Sequence, residues 1–314
     1  MASFDPPQVL VLGGGGILGE AWMTAVLAGL HESAGFDARD CEGYVGTSAG
    51  SIVAAALTAG IKPHERLGEL PEQPPVPAAE LPEANGFLAG PLERARTAGG
   101  IVAAPLAAVG LRSTEAAGAL LRRAALRRVR AGRRSLSRLG LELEQAGARF
   151  DGRLSISAVE VESGRRVMFG TPGAPMVGVG AAVEASCAIP GVFRPLVLDG
   201  RSYVDGGVWS PTNMDRAPAG RGTRVLCLNP TGSMRPGPGR PFGALGLVSG
   251  SLAAIEGLVL TRRGAHVTTV SPDAGSMAAM GPNLMDAAPR ARVIAAGLTQ
   301  GQALASTADR ATGP

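Results

Sequence analysis

Cysteine, histidine, lysine and aromatic residues are all scarce in this 314-residue chain, and each scarcity removes a class of function. The three cysteines, Cys41, Cys187 and Cys227, stand too far apart for a disulfide framework or a CxxC metal site. The three histidines, His31, His64 and His266, are scattered, which argues against a histidine-built metal centre. Aromatic residues make up 4% of the chain, too few for a base-stacking surface, so no nucleic-acid partner is expected. Lysine occurs once, at Lys62, so the basic charge is carried by arginine, a usage habit from which no function follows. Long apolar runs are missing too. Residues 98–111 are uncharged but shorter than a bilayer span, about 20 residues, and Pro105 interrupts them. Residues 241–260 carry Glu256 among glycines and serines and read as a buried or amphipathic helix. Residues 1–7 have neither the basic nor the apolar stretch of a signal peptide. A soluble cytoplasmic protein with free thiols is the expectation.

What is present points to a globular fold. The chain is 45% hydrophobic and its mean hydropathy is +0.17, which excludes a wholly disordered chain. Residues 8–12 (QVLVL) form a short apolar run ending in glycine, which suits a strand buried on both faces of a parallel sheet. A helical stretch follows at 18–31, then a short strand at 44–45 and an alanine-rich helix at 49–59. Strand, helix, strand, helix in under 60 residues is the pattern of an α/β fold. Residues 63–91 are rich in Pro and Glu and predict loops, and 113–145 predict a basic helical stretch. Alternation at 154–161, with a turn at Ser163-Gly164 and a return at 167–169, predicts a hairpin. Further strands are expected at 195–198, 224–228 and 266–270, and helices at 178–187, 246–260 and 285–305. The polar tail from 306 is expected to fray.

Three segments carry chemistry. The first is the glycine run Gly13 to Gly16, closed by Gly19, between the first strand and the first helix. Such a loop exposes backbone N–H groups at a helix N-terminus and suits a phosphate or a developing oxyanion. It also fits GxGxxG at Gly14, Gly16 and Gly19, with Asp37 and Asp40 downstream, so a dinucleotide site competes with that reading. A glycine turn that only permits close packing is the plainer alternative. The second segment is Gly46-Thr47-Ser48-Ala49-Gly50, a GxSxG pattern between a strand and a helix. On a sharp turn of this kind, small residues at Gly46 and Gly50 let the serine hydroxyl stand clear of the sheet as a nucleophile. Ser48 as an ordinary helix N-cap is the alternative. The third is Asp205-Gly206-Gly207, either a tight turn or a base for Ser48.

In this order the segments resemble those of the patatin-like phospholipases, a family of lipid acyl hydrolases. The stretch 185–195 (ASCAIPGVFRP) is similar to the family's approach to its catalytic aspartate, and the pieces together span about residues 8–217. The resemblance implies a three-layer α/β/α fold with a central, mainly parallel sheet. It implies a single domain over 1–314, with a helical and loop-rich, lid-like insert at about 61–150. It also implies a Ser–Asp dyad without histidine, with Ser48 as nucleophile and Asp205 as base. The oxyanion hole would be the backbone N–H groups of Gly14, Gly15 and Gly16. The reaction would be phospholipase A, lysophospholipase or esterase chemistry on a lipid or acyl-ester substrate, with no metal or cofactor. Two departures stand out. Leu18 replaces the Arg or Lys usual before the last loop glycine, which bears on headgroup preference rather than on ester chemistry. After Asp205 the chain reads Ser210-Pro211-Thr212-Asn213, where the family's Asn is often nearer and followed by Pro.

Other readings compete. The order Ser48, Asp205, His266 matches the triad order of α/β-hydrolases, but the elbow follows the second strand and His266 opens a strand, where a solvated histidine is expected. A dinucleotide-binding protein using the loop from Gly14 to Gly19, or a non-catalytic lipid-binding protein of the same fold, are the other classes. Finally, residues 122–138, bounded by Arg122 and Arg138, hold eight arginines and no acid, while the chain as a whole has a net charge of +4. The remainder is therefore net negative. Apolar residues interleave with these arginines, so the block is a candidate for peripheral contact with an anionic membrane, or else a solvated or acid-paired helix face. The apolar run 100–111 suits an acyl-chain pocket, a lid or core.

Overall fold

The computed structural model describes residues 4–68, 115–234 and 243–310. Eight strands form one sheet: β1 (Val9–Leu12), β2 (Gly43–Thr47), β3 (Leu154–Glu160), β4 (Arg166–Phe169), β5 (Leu196–Leu198), β6 (Arg201–Asp205), β7 (Arg224–Leu228) and β8 (His266–Val270). The order is β5-β6-β3-β2-β1-β7-β8, with β4 paired to β3 off that path. From β3 through β2, β1 and β7 to β8 every pairing is parallel, and the pairings that involve β4, β5 and β6 are antiparallel.

Helices cover both faces. They are α1 (Gly16–Ala34), α2 (Ala49–Thr58), α3 (Glu115–Leu126), α4 (Ser137–Gln145), α5 (Val179–Cys187), α6 (Gly243–Arg262), α7 (Ala274–Met280) and α8 (Arg290–Arg310). Leu10 and Leu12 of β1, with Tyr44, Leu154 and Ile156, belong to the main core, which α1, α2, α5 and α8 close. Val9 and Val11 point the other way, into a second cluster with Val45, Val225 and Cys227 that α6 closes through Ala253 and Leu260. Farther along that second face, Leu126 of α3 caps Val159 and Val204. Burial on both faces is why β1 reads as an unbroken apolar run, and the result is the α/β/α architecture the sequence suggests.

The register around β3 brings two strand ends together. β4 pairs with Ile156 to Val159 along one edge of β3. β2 pairs with Leu154 to Ser157 and β6 with Ala158 to Glu160, so both must use the opposite edge, end to end. The C-terminal end of β2 therefore abuts the C-terminal end of β6, with Thr47 opposite Ser157 and Asp205 opposite Ala158.

The structure differs from the sequence expectations in places. The helical stretch expected at 113–145 is two helices, separated by ten non-helical residues. Residues 201–205 form a strand not anticipated from their mixed polarity. The C-terminal helix begins at Arg290, after the separate α7, and it persists to Arg310, where fraying was expected. Residues 69–91 of the expected loop-rich stretch and the apolar run 100–111 lie outside the described residues. All three cysteines are free and buried.

Candidate active site

Ser48 stands where β2 passes into α2. Its φ is 50° and ψ −122°, a strained backbone for a residue with a Cβ, costing about 1–3 kcal/mol. Its side chain does not cap the helix, so the N-cap alternative fails. The turn is tight enough to need its glycines. A Cβ on Gly50 would fall 1.9 Å from the Leu12 carbonyl oxygen, and one on Gly46 2.5 Å from Ser51 Cα. The Ser48 amide donates to Ser186 Oγ at 2.9 Å, tying the elbow to α5.

Asp205 ends β6 and meets Ser48 where the two strands abut. Ser48 Oγ donates to Asp205 Oδ2 at 2.7 Å, and the Gly207 amide donates to Oδ1 at 2.7 Å. Both side chains are buried, Ser48 8% and Asp205 6% exposed. Burial pushes the Asp205 carboxyl up to about 6, against the two hydrogen bonds, which favour its charged form. The carboxylate is thus still the main form at neutral pH, and a stronger base than a solvated aspartate.

The glycine loop lies beside this pair. A Cβ on Gly14 would come within 3.5 Å of Ser48 Cβ. The Gly14 amide, however, already donates to the Pro211 carbonyl at 2.8 Å, and Gly13 to Leu228 at 2.9 Å. The amides of Gly15 and Gly16 have no partner among the described residues. They open α1, whose first turn contains no acid, so the helix dipole there favours an anion.

Sequence reasoning did not single out the polar cluster that joins the two strand ends. Asn213, fully buried at φ 50°, donates from Nδ2 toward Thr47 Oγ1 (3.1 Å), Ser157 Oγ (3.1 Å) and the Ser210 carbonyl (2.6 Å). Its Oδ1 accepts from Arg166 Nη1 at 3.0 Å, and Arg166 is locked by a two-pronged pair to Asp215 at 2.7 Å. Glu256 of α6, also fully buried, accepts from the Thr212 hydroxyl and the Met214 amide on either side of Asn213. The sequence signals were Glu256, the lone charge in the apolar run 241–260, and the displaced Asn213 after Asp205.

Several candidate residues stay apart. His266 is exposed at the N-terminal end of β8, whereas Ser48 lies beyond the C-terminal end of β2 in the same parallel set, so no Ser–Asp–His triad forms. Asp37 and Asp40 precede β2 and sit at that same far edge, and Asp37 is paired with Arg39. A ribose-binding acid belongs at the C-terminal edge, so the dinucleotide reading loses its second anchor. The Leu18 side chain is fully buried.

The family model for patatin-like phospholipases matches residues 10–218, as the resemblance implied. No match is found among the curated proteins. Among solved structures, VipD from Legionella pneumophila is similar over 97% of this chain and 68% of its own, at 15% identity and a TM-score of 0.42. The type III effector protein ExoU is similar over 96% of this chain, at 19% identity and a TM-score of 0.33; the chain spans about half of ExoU, 54%.

Proposed function

The chain belongs to the patatin-like phospholipase family, and from that membership we propose that it is a serine acyl hydrolase cleaving fatty acyl esters of lipids through a Ser48–Asp205 dyad. The observation that carries this reading is the 2.7 Å hydrogen bond from Ser48 Oγ to Asp205 Oδ2. Ser48 Oγ attacks the ester carbonyl carbon as its proton passes to Asp205. The tetrahedral oxyanion takes hydrogen bonds from the glycine loop, where the free amides of Gly15 and Gly16 are the proposed donors and Gly14 supports the loop. Collapse expels the alcohol, which takes the proton back from Asp205, and leaves an acyl-serine. A water then gives its proton to Asp205 and attacks the acyl carbon; the second collapse releases the fatty acid and returns the proton to Ser48.

Hydrolysis of a p-nitrophenyl acyl ester by single variants tests the assignment. Ser48→Ala removes activity, Asp205→Asn lowers it by about 10²–10⁴-fold, and His266→Ala leaves it intact. Full activity in Ser48→Ala overturns the mechanism, and loss of activity in His266→Ala replaces the dyad by a histidine-dependent mechanism.

A further inference from the structure

The basic segment divides into an inward and an outward set of residues. Leu126 and Ala119 are buried, and Arg122 stacks 3.7 Å over the Trp209 ring while its Nε donates to the Gly164 carbonyl. These residues fasten α3 to the sheet. The opposite face of the helix is open, with Leu120 61% and Leu121 54% exposed and Ala124 exposed between them. Arg127, Arg128, Arg130 and Arg133 follow, all exposed, and none pairs with an acid among the described residues. No acid occurs in the sequence from 116 to 141.

The segment also grips the chain on both sides of Asp205. Trp209, under Arg122, lies four residues after it. Arg134 bridges Phe193, and Gly132 packs so closely on the Val192 backbone that a Cβ would fall 2.2 Å from it. The stretch containing Val192 and Phe193 begins at Ala188, whose carbonyl accepts the Asp205 amide at 3.0 Å.

We propose that the outward face of residues 120–133 docks the protein on an anionic lipid bilayer, with Leu120 and Leu121 entering the interface and Arg127, Arg128, Arg130 and Arg133 contacting lipid phosphates. This deepens the hydrolase reading and rests on it for its purpose: docking brings the rim of the Ser48–Asp205 site to its substrate. Two exposed leucines inside a cationic strip favour a bilayer over a nucleic acid, which rewards the charges but not the leucines. Each arginine close to an anionic surface strengthens partition by about fivefold.

Co-sedimentation with vesicles tests this on the full chain carrying Ser48→Ala, so that binding is measured without turnover. Vesicles of phosphatidylcholine mixed with phosphatidylserine should retain the protein far better than phosphatidylcholine alone. Arg127→Ala with Arg128→Ala should weaken that binding by about 25-fold, and Leu120→Ser with Leu121→Ser should weaken it at unchanged charge. In the active background, both pairs should hydrolyse a soluble short-chain ester at the unmodified rate, which also shows that they fold. Equal binding to both vesicle types, or retention unaffected by either pair, overturns the proposal. Sensitivity to the arginine pair alone, with equal retention on duplex DNA, replaces it by a general polyanion surface. Loss of soluble-ester hydrolysis by the parent protein, with vesicle binding as described, would instead count against the dyad reading and leave docking standing.

Discussion

Asp205 is held between opposed influences, and their balance sets its chemistry. Burial disfavours its charge, while hydrogen bonds from Ser48 and Gly207 favour it, and burial wins, at about 6. The proposed base works as the carboxylate, so kcat/KM on a soluble ester should rise with pH through about 6 and then level off. Stability runs the other way. Between the ordinary value of 3.8 and about 6 the folded protein holds a proton that the unfolded chain has lost. Rising pH through that window therefore destabilises the fold, and the deficit persists above it. Asp205→Asn removes the buried charge and keeps an acceptor for Gly207. It should raise stability at neutral pH by on the order of 2 kcal/mol while losing activity, measured by denaturant melts beside the ester assay. A variant that loses both would show that the carboxylate is needed by the fold.

At the scale of elements, the site depends on how two strand ends are joined. Gly50 admits no side chain because the Leu12 carbonyl oxygen occupies the place of a Cβ, 1.9 Å away. Gly50→Ala should displace α2 from β1 and cost several kcal/mol, about 4 or more, visible as a large fall in melting temperature. Asn213 is a different kind of support, since it touches neither reacting atom. Removing its amide leaves the buried oxygens of Ser157 and Ser210 without their donor, while Thr47 keeps the Ser157 hydroxyl. Asn213→Ala should cost about 1–3 kcal/mol and lower kcat more than it raises KM. Most elements were legible in the sequence because their apolar pattern matches their period. β1 reads as an unbroken run since both its faces are buried. β6 did not, because Arg201 and Ser202 open it outside the core and Asp205 closes it for the site rather than for packing. Asn213 was also illegible as a support. Its partners lie as far as 166 positions away in sequence, and its role arises only where β2 and β6 share an edge of β3.

For the whole molecule, the sheet topology decides between the competing readings. Parallel strands put Ser48 at one edge of the sheet and both His266 and the Asp37–Asp40 turn at the other. The sequence offered all of these residues at plausible spacings, and only the direction of the strands separates them. The motif order did make the dyad candidates and the family visible, since a strand–turn–helix glycine pattern is local. The division of the arginine block was not, because which side of α3 faces Trp209 is a tertiary matter. The central claim is that Ser48 is a nucleophile activated by Asp205. Labelling with a fluorophosphonate probe tests it most directly: the wild-type protein should take up one adduct, mapped to Ser48, with Asp205→Asn reacting far more slowly and Ser48→Ala not at all. An unlabelled wild-type protein, or an adduct that survives Ser48→Ala, would contradict it.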